Sequence, residues 1–163
     1  MNLFLDTPDV AEVTKLYGTG LIEGVTTSHA AITQACRKPI DVYRELDVLG
    51  IKHIHAELLG EAPDIVREAL ELFDIFGSRV AIKVPCTRAG LSACTELKKV
   101  SPYTQVNVTL VFSAAQAILA TKSGADFVSV PVGIIDENSI AGLEVVRSVV
   151  ELLRGRETMV VAD

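Results

Sequence analysis

Along the chain, short apolar runs alternate with longer stretches in which apolar residues recur at helical spacing. Leu3-Phe4-Leu5 is the first run. It leads through Asp6 into Thr7-Pro8-Asp9, which predicts a helix opening with a capping hydroxyl, a proline in the first turn and an early acid. That helix carries Val10, Val13, Leu16 and Tyr17 on one face and stops near Gly18. Glu23 to Thr27 predicts a second strand, with Ser28 capping the helical segment after it. Pro39 divides that segment into two helices, the second from Ile40 to Leu49. Lys52 to Leu58 predicts a third strand with His53, His55 and Glu57 on one face. The next helix spans 61–76, with Ile65, Ala69, Leu72 and Ile75 inward. Val80 to Pro85 predicts the fourth strand and Thr87 to Lys99 its helix. Gln105 to Phe112 predicts the fifth, with Ser113 capping a helix that ends at Gly124. Phe127 to Val132 is the sixth strand, residues 138–154 a helix burying Ile140, Leu143, Val146, Val150 and Leu153, and Thr158 to Ala162 a seventh strand.

Strands separated by helices of this length form βαβ units and a parallel sheet. The first strand is not followed by a nucleotide-type glycine fingerprint, which favours a (β/α) barrel over a doubly wound sheet. A complete barrel has eight strands and runs to about 250 residues. The expected fold is therefore α/β, of the (β/α)8 TIM-barrel type but incomplete: one domain over residues 1–163 with about seven strands, the eighth strand and the C-terminal helices missing. Its first and seventh strands would keep unpaired edges. That fits a fragment of a longer chain, a truncated product or a gap filled by another chain, and the sequence does not rank them.

Composition narrows the classes of function. At 49% hydrophobic and 22% charged residues with no tryptophan, the chain reads as a soluble globular protein. A net charge of −6 without a basic cluster argues against a nucleic-acid partner, and an anionic substrate would need locally placed donors. No apolar run approaches membrane-spanning length, and the segment Met1 to Asp6 lacks the basic region and apolar core of a signal peptide. No membrane partner and a cytoplasmic location are expected. Cys36, Cys86 and Cys94 are odd in number and match no metal or redox spacing, so reduced thiols are expected, with no metal and no cofactor.

The fourth strand carries the chemistry. Strand side chains alternate, so Ala81, Lys83 and Pro85 face one way and Val80, Ile82 and Val84 the other. Taken alone, Lys83 reads as a strand-end residue reaching for solvent. In a barrel, however, side chains at the C-terminal strand ends share one mouth. The polar residues expected there are Asp6, Thr26, Thr27, Ser28, Glu57, Lys83, Asn107, Thr109 and Ser129. An amine in an apolar setting favours its neutral, nucleophilic form. One lysine with two carboxylates and several hydroxyls is a Schiff-base site in outline. Each residue also has a plainer reading. Asp6 can cap the first helix, Glu57 can be a structural ion pair, and Asn107 and Thr109 can satisfy each other or the backbone. His53 and His55 lack further metal ligands and read as packing or hydrogen-bonding residues. Cys86 reads as filler, with no histidine placed to activate it.

The segments Phe4-Leu5-Asp6-Thr7, Gly24-Val25-Thr26-Thr27, Ala56-Glu57, Ile82-Lys83-Val84-Pro85, Asn107 to Ser113 with Gln116, and Gly124-Ala125 leading to Val128-Ser129 resemble the transaldolase and fructose-6-phosphate aldolase-like family. The resemblance runs over the whole chain, and the fifth-strand piece together with the lysine piece is specific. It implies a class I aldolase or transaldolase of carbohydrate metabolism, of the pentose-phosphate kind, acting on a ketose or hydroxyketone donor and an aldehyde acceptor. By analogy Lys83 forms the Schiff base and Asp6 handles the proton at the cleaved bond. Glu57 works with Thr109 through a water, and Asn107, Ser129 and Thr27, with Ser28 beside them, bind the donor. Small relatives form rings, which implies a homo-oligomer.

Three departures qualify the resemblance. Ser28 stands where the family usually has asparagine. The sixth strand ends Pro131-Val132-Gly133-Ile134, so that Ile134 replaces a phosphate-holding arginine and Pro131 an aromatic, and Asp163 takes the place of a phosphate-end serine. Phosphorylated sugars are therefore expected to bind poorly. The third departure is the absent end of the barrel. It motivates an alternative, a catalytically impaired, truncated family member that survives as an oligomer subunit. A third reading, a deoxyribose-phosphate type of aldolase, is opposed by the run from Asn107 to Ser113.

Overall fold

The computed structural model describes residues 1–138 and 141–163. Seven parallel strands form one sheet in sequence order: β1 (Leu3–Asp6), β2 (Ile22–Thr26), β3 (His53–Glu57), β4 (Val80–Pro85), β5 (Gln105–Thr109), β6 (Phe127–Val130) and β7 (Met159–Ala162). Between them run α1 (Val10–Tyr17), α2 (His29–Gln34), α3 (Pro39–Val48), α4 (Ala62–Phe76), α5 (Arg88–Val100), α6 (Ala114–Lys122), α7 (Val132–Glu137) and α8 (Gly142–Leu152). The architecture is α/β, an incomplete barrel of the TIM type. Among the described residues no ladder joins β7 to β1.

The sheet is strongly curled. In a flat sheet β4 and β7 would lie about 14 Å apart, three strand spacings of about 4.8 Å. Yet Lys83 on β4 and Asp163, just past β7, bring Nζ and Oδ2 to 3.8 Å. Asp163 extends the β7 ladder, donating its N–H to Val130 O at 2.9 Å. The outward side chains Val25, Ile54, Ile82, Val106, Val108 and Val128 are buried beneath the helices and make the main core. Each contributes about 1.5–3 kcal/mol through burial.

Local chemistry sets the ends of the elements. β5 stops at Thr109 because the next residue, Leu110, adopts a left-handed φ of 57°, so the strand does not run on to Phe112. β6 stops at Val130 because Pro131 cannot donate to the ladder, and Val132 opens α7 instead of ending a strand. The cap of α1 is Asp9, whose carboxylate accepts from the N–H groups of Ala11 and Glu12; the Thr7 hydroxyl accepts from Asp9 N. Ile75 is exposed and Phe76 buried at the end of α4.

The last helix differs most from its expected form. α8 is shorter than 138–154, Leu143 and Val150 are exposed, and its buried stripe runs through Gly142, Val149 and Leu153; Ile140 lies outside the described residues. Gly142 is the cause. A Cβ there would stand 2.8 Å from the Val132 carbonyl oxygen, so the glycine lets α8 settle onto the backbone of α7 and turns its contact face. Gly90 does the same for α5. A Cβ at Gly90 would come within 2.0 Å of the Pro85 carbonyl oxygen, so this helix begins directly against the end of β4.

Candidate active site

Register fixes which residues face the barrel interior. Glu57 pairs with Lys83, Lys83 with Asn107, and Asn107 with Phe127. Asp6 pairs with Thr26, and Thr26 with His55. Strand alternation then puts Asp6, Thr26, His55, Glu57, Lys83, Asn107, Thr109, Ser129 and Asp163 on the inner face. Asp6, Thr26, Glu57 and Thr109 end their strands, where parallel barrels gather functional groups, and His55 and Asn107 lie mid-strand, one layer deeper.

Lys83 is the centre of this cluster. It is 5% exposed, which removes the snorkelling alternative. Its Nζ donates to Thr26 Oγ1 at 3.3 Å and faces Asp163 Oδ2 at 3.8 Å. The Asp163 side chain is 16% exposed. Burial holds its carboxyl above the usual carboxylate range against the pull of Lys83, with Asp6 pushing the same way as burial, the neighbouring Ser129 hydroxyl opposing it, and Glu57 adding to it.

A second set of contacts runs beside the amine. Ser129 Oγ donates to Asn107 Oδ1 at 3.0 Å, and Asn107 Nδ2 lies 3.0 Å from His55 Nδ1. With Nδ1 accepting, the His55 proton sits on Nε2, which has no hydrogen-bond partner among the described residues. His55 is wedged between Phe4 and Phe127, with ring centroids at 5.0 and 4.8 Å. Burial, then the charge of Lys83, lowers its pKa to about 3, so the ring is neutral. It is a satisfied interior histidine on one side and a fixed orienting acceptor for the Asn107 amide.

The remaining expected site residues divide. Asp6 ends β1 with its side chain exposed; since Asp9 caps α1, Asp6 is free of that duty. Glu57 Oε2 accepts from His29 N at 2.7 Å, which ties the carboxylate to the start of α2 at the rim of the mouth. Thr109 is buried beside Pro85, and among the described residues no hydrogen bond joins it to Glu57 or Lys83. Thr27 and Ser28 are not brought to the amine. The Thr27 hydroxyl is fully buried and donates to the His55 carbonyl at 3.2 Å, on the side of Tyr43, whose phenol burial pushes up to about 12. Ser28 Oγ caps α2, accepting from Ala31 N at 3.1 Å. Ile134 sits on α7, 46% exposed.

Two neighbours of the amine are not legible in the sequence. Thr26 rather than Thr27 meets the lysine, and only the register with Asp6 decides between adjacent threonines. The resemblance implies the phosphate end of the substrate for Asp163, whereas its carboxylate stands at the amine itself. Burial raises the pKa of Cys86 and of Cys94, which keeps both protonated. No group of three or more histidine, cysteine, aspartate or glutamate side chains suited to a metal occurs among the described residues. Among them, too, no helix is long and apolar enough to cross a membrane.

Chemically, the arrangement offers one sheltered amine, an adjacent hydroxyl, carboxylates at the ends of three different strands and a rigid amide–hydroxyl pair. Known proteins share both the sequence pattern and the fold. The family model described as Transaldolase/Fructose-6-phosphate aldolase matches residues 3–162. A probable transaldolase of Rhodospirillum centenum is 41% identical over 153 residues, covering 93% of this chain and 65% of that protein. A probable transaldolase of Leptospira biflexa serovar Patoc is 38% identical over 165 residues, covering 99% of this chain and 76% of that protein. The chain thus spans about two thirds to three quarters of the length of these relatives. A solved structure named "QR15, an Aldolase" superposes with a TM-score of 0.62 at 12% identity, over 98% of this chain and 77% of that one, a likeness of fold.

Proposed function

Because the chain belongs to the transaldolase/fructose-6-phosphate aldolase family, we propose that it carries the machinery of a class I aldolase or transaldolase in which Lys83 is the Schiff-base residue. The observation that carries this reading is the placement of Nζ: sheltered in the mouth, 3.3 Å from Thr26 Oγ1 and 3.8 Å from Asp163 Oδ2. The neutral amine adds to the carbonyl carbon of a ketose or hydroxyketone donor. The carbinolamine then loses water to give an iminium. That iminium accepts the electron pair when the neighbouring carbon–carbon bond breaks, giving an enamine and a free aldehyde. Asp6 takes the proton from the hydroxyl that becomes the aldehyde, and Glu57 with Thr109 moves protons during carbinolamine formation and loss. Addition of the enamine to an acceptor aldehyde runs the same steps in reverse. Asn107 and Ser129, held to each other and to His55, present fixed polar groups to the donor hydroxyls.

Borohydride reduction in the presence of dihydroxyacetone, followed by peptide mass mapping, tests the reading. A reduced adduct on Lys83, absent from Lys83→Ala, is expected; no adduct on Lys83 overturns it.

A second reading, a homo-oligomer subunit with impaired chemistry, draws on the β1 and β7 edges, which no strand covers among the described residues. Leu3 on β1 and Met159 on β7 are exposed apolar residues at those edges. Native mass measurement gives the assembly size. Turnover that disappears in Lys83→Ala dismisses the impaired subunit.

A further inference from the structure

The carboxylates of the mouth are differently engaged. Glu57 is the register partner of Lys83, yet its Oε2 accepts from His29 N at 2.7 Å, at the rim. Asp163 reaches the amine from across the curl of the sheet. Among the described residues it is the carboxylate paired with Lys83, Oδ2 standing 3.8 Å from Nζ. It is firmly seated. Its N–H donates to Val130 O at 2.9 Å, its carbonyl accepts from Val132 N at 2.8 Å, and its side chain is largely enclosed. Thr26 Oγ1 accepts one Nζ proton at 3.3 Å, which fixes the amine and leaves its other protons to face Asp163.

Resting on the Schiff-base reading of Lys83, we propose that Asp163 is the catalytic acid–base group for the lysine nitrogen, taking a proton from Nζ as the carbon–nitrogen bond forms and returning it when that bond breaks. The proton count requires such a group. Attack of the neutral amine forms the Nζ–C bond and sends the carbonyl π pair to oxygen. The nitrogen then holds one proton more than the neutral carbinolamine, and the oxygen one fewer. Glu57 with Thr109 supplies the oxygen. Asp163 takes the surplus proton and becomes a carboxylic acid, and the nitrogen keeps the lone pair that expels water in the next step. Hydrolysis of the iminium runs these transfers backwards, and Asp163 gives its proton back to Nζ.

The surroundings of Asp163 suit the task. Burial holds its carboxyl above the usual carboxylate range, so it binds a proton more readily than an exposed aspartate does. The groups that act on it are Lys83 on β4, Asp6 on β1, Ser129 on β6 and Glu57 on β3. Lys83 is the one cation among them, so the proton it gives up goes to the group it had been holding charged. Catalytic hydrogen bonds tighten as the reacting atoms come together, and a gap of 3.8 Å closes in that way or through one water.

The test follows imine formation directly. The 163-residue protein is mixed with dihydroxyacetone over a range of concentrations and quenched with excess borohydride after increasing times, and the Lys83 adduct is counted by mass mapping. Asp163→Ala and Asp163→Asn should each lower the saturating rate by about a hundredfold and leave the half-saturating concentration within about twofold. Formate, a small carboxylate, should raise the rate of Asp163→Ala by about tenfold and that of Asp163→Asn not at all, because the amide fills the space. A merely structural role would not answer to formate. Saturating rates within about threefold of the parent in both variants, or a slow Asp163→Ala that formate leaves unchanged, overturn the role of Asp163 and leave Lys83 as the Schiff-base residue. Absence of any Lys83 adduct in the parent overturns both.

Discussion

On β4, Val80, Ile82 and Val84 point outward into a layer of aliphatic side chains, whereas Ala81, Lys83 and Pro85 point into the barrel. The same division holds on β5, where Val106 and Val108 pack under helices while Asn107 and Thr109 face inward. Both sets are largely hidden from solvent, so burial alone does not tell them apart. The outer set contributes through dispersion and loss of apolar surface from water. The inner set contains hydrogen-bonding and ionisable groups whose burial is costly unless partners are supplied. It includes His55 on β3, whose Nε2 has no partner among the described residues. Residues that cost stability where they stand are the ones whose presence a chemical task has to explain.

That contrast makes measurable claims. Lys83→Met should abolish the borohydride adduct, a loss of at least about a thousandfold, and the double variant Lys83→Met with Asp163→Asn, which leaves no enclosed carboxylate without its partner, should leave thermal stability unchanged or improved. A large fall in Tm in that double variant would break the contrast. His55 supplies the next largest effect. Its folded pKa of about 3 lies below the ordinary histidine value near 6.5, so its contribution to stability is complete above pH 6.5 and is lost as the pH falls toward 3. The loss is on the order of 4 kcal/mol. In His55→Gln, urea denaturation across that range should show a flatter dependence on pH. On the outer face, Ile82→Ala should cost about 2–4 kcal/mol in urea denaturation, while the fraction still folded continues to form the Lys83 adduct. The smallest effect separates two neighbouring acids. Asp9→Ala should lower stability by about 1 kcal/mol through loss of the α1 cap, whereas Asp6→Asn should leave stability within about 0.5 kcal/mol and slow turnover instead. Equal stability losses in the two variants would mean that Asp6 holds the fold.

Much of this division is legible in the sequence. Alternation along Val80 to Pro85 separates Lys83 from its aliphatic neighbours, and the apolar rhythm locates all seven strands to within a few residues. What the sequence withholds are facts of register and approach. Thr26 and Thr27 are equivalent as β-branched strand residues, and only pairing with Asp6 and His55 decides which faces inward. Hydrophobic spacing misplaces the stripe of α8 because a glycine contact chooses the face of that helix. The aim of Asp163 depends on the curl of the sheet, a property of all seven strands together, which no local pattern carries. Thr7-Pro8 is a strong helix opening and points to Thr7 as the cap of α1, but the carboxylate two residues on reaches two N–H groups at once.

The seat of Gly90 against the end of β4 has a further implication for how this chain tolerates change. With no slack between the helix and the strand, any side chain at position 90 must lever α5 away from Pro85 and carry the strand that bears Lys83 with it. A displacement of about one ångström is enough to spoil the alignment of an attacking amine. The freedom of the reactive centre to drift is therefore limited by a residue that no substrate meets, and a mutational survey restricted to the walls of the mouth would overlook it.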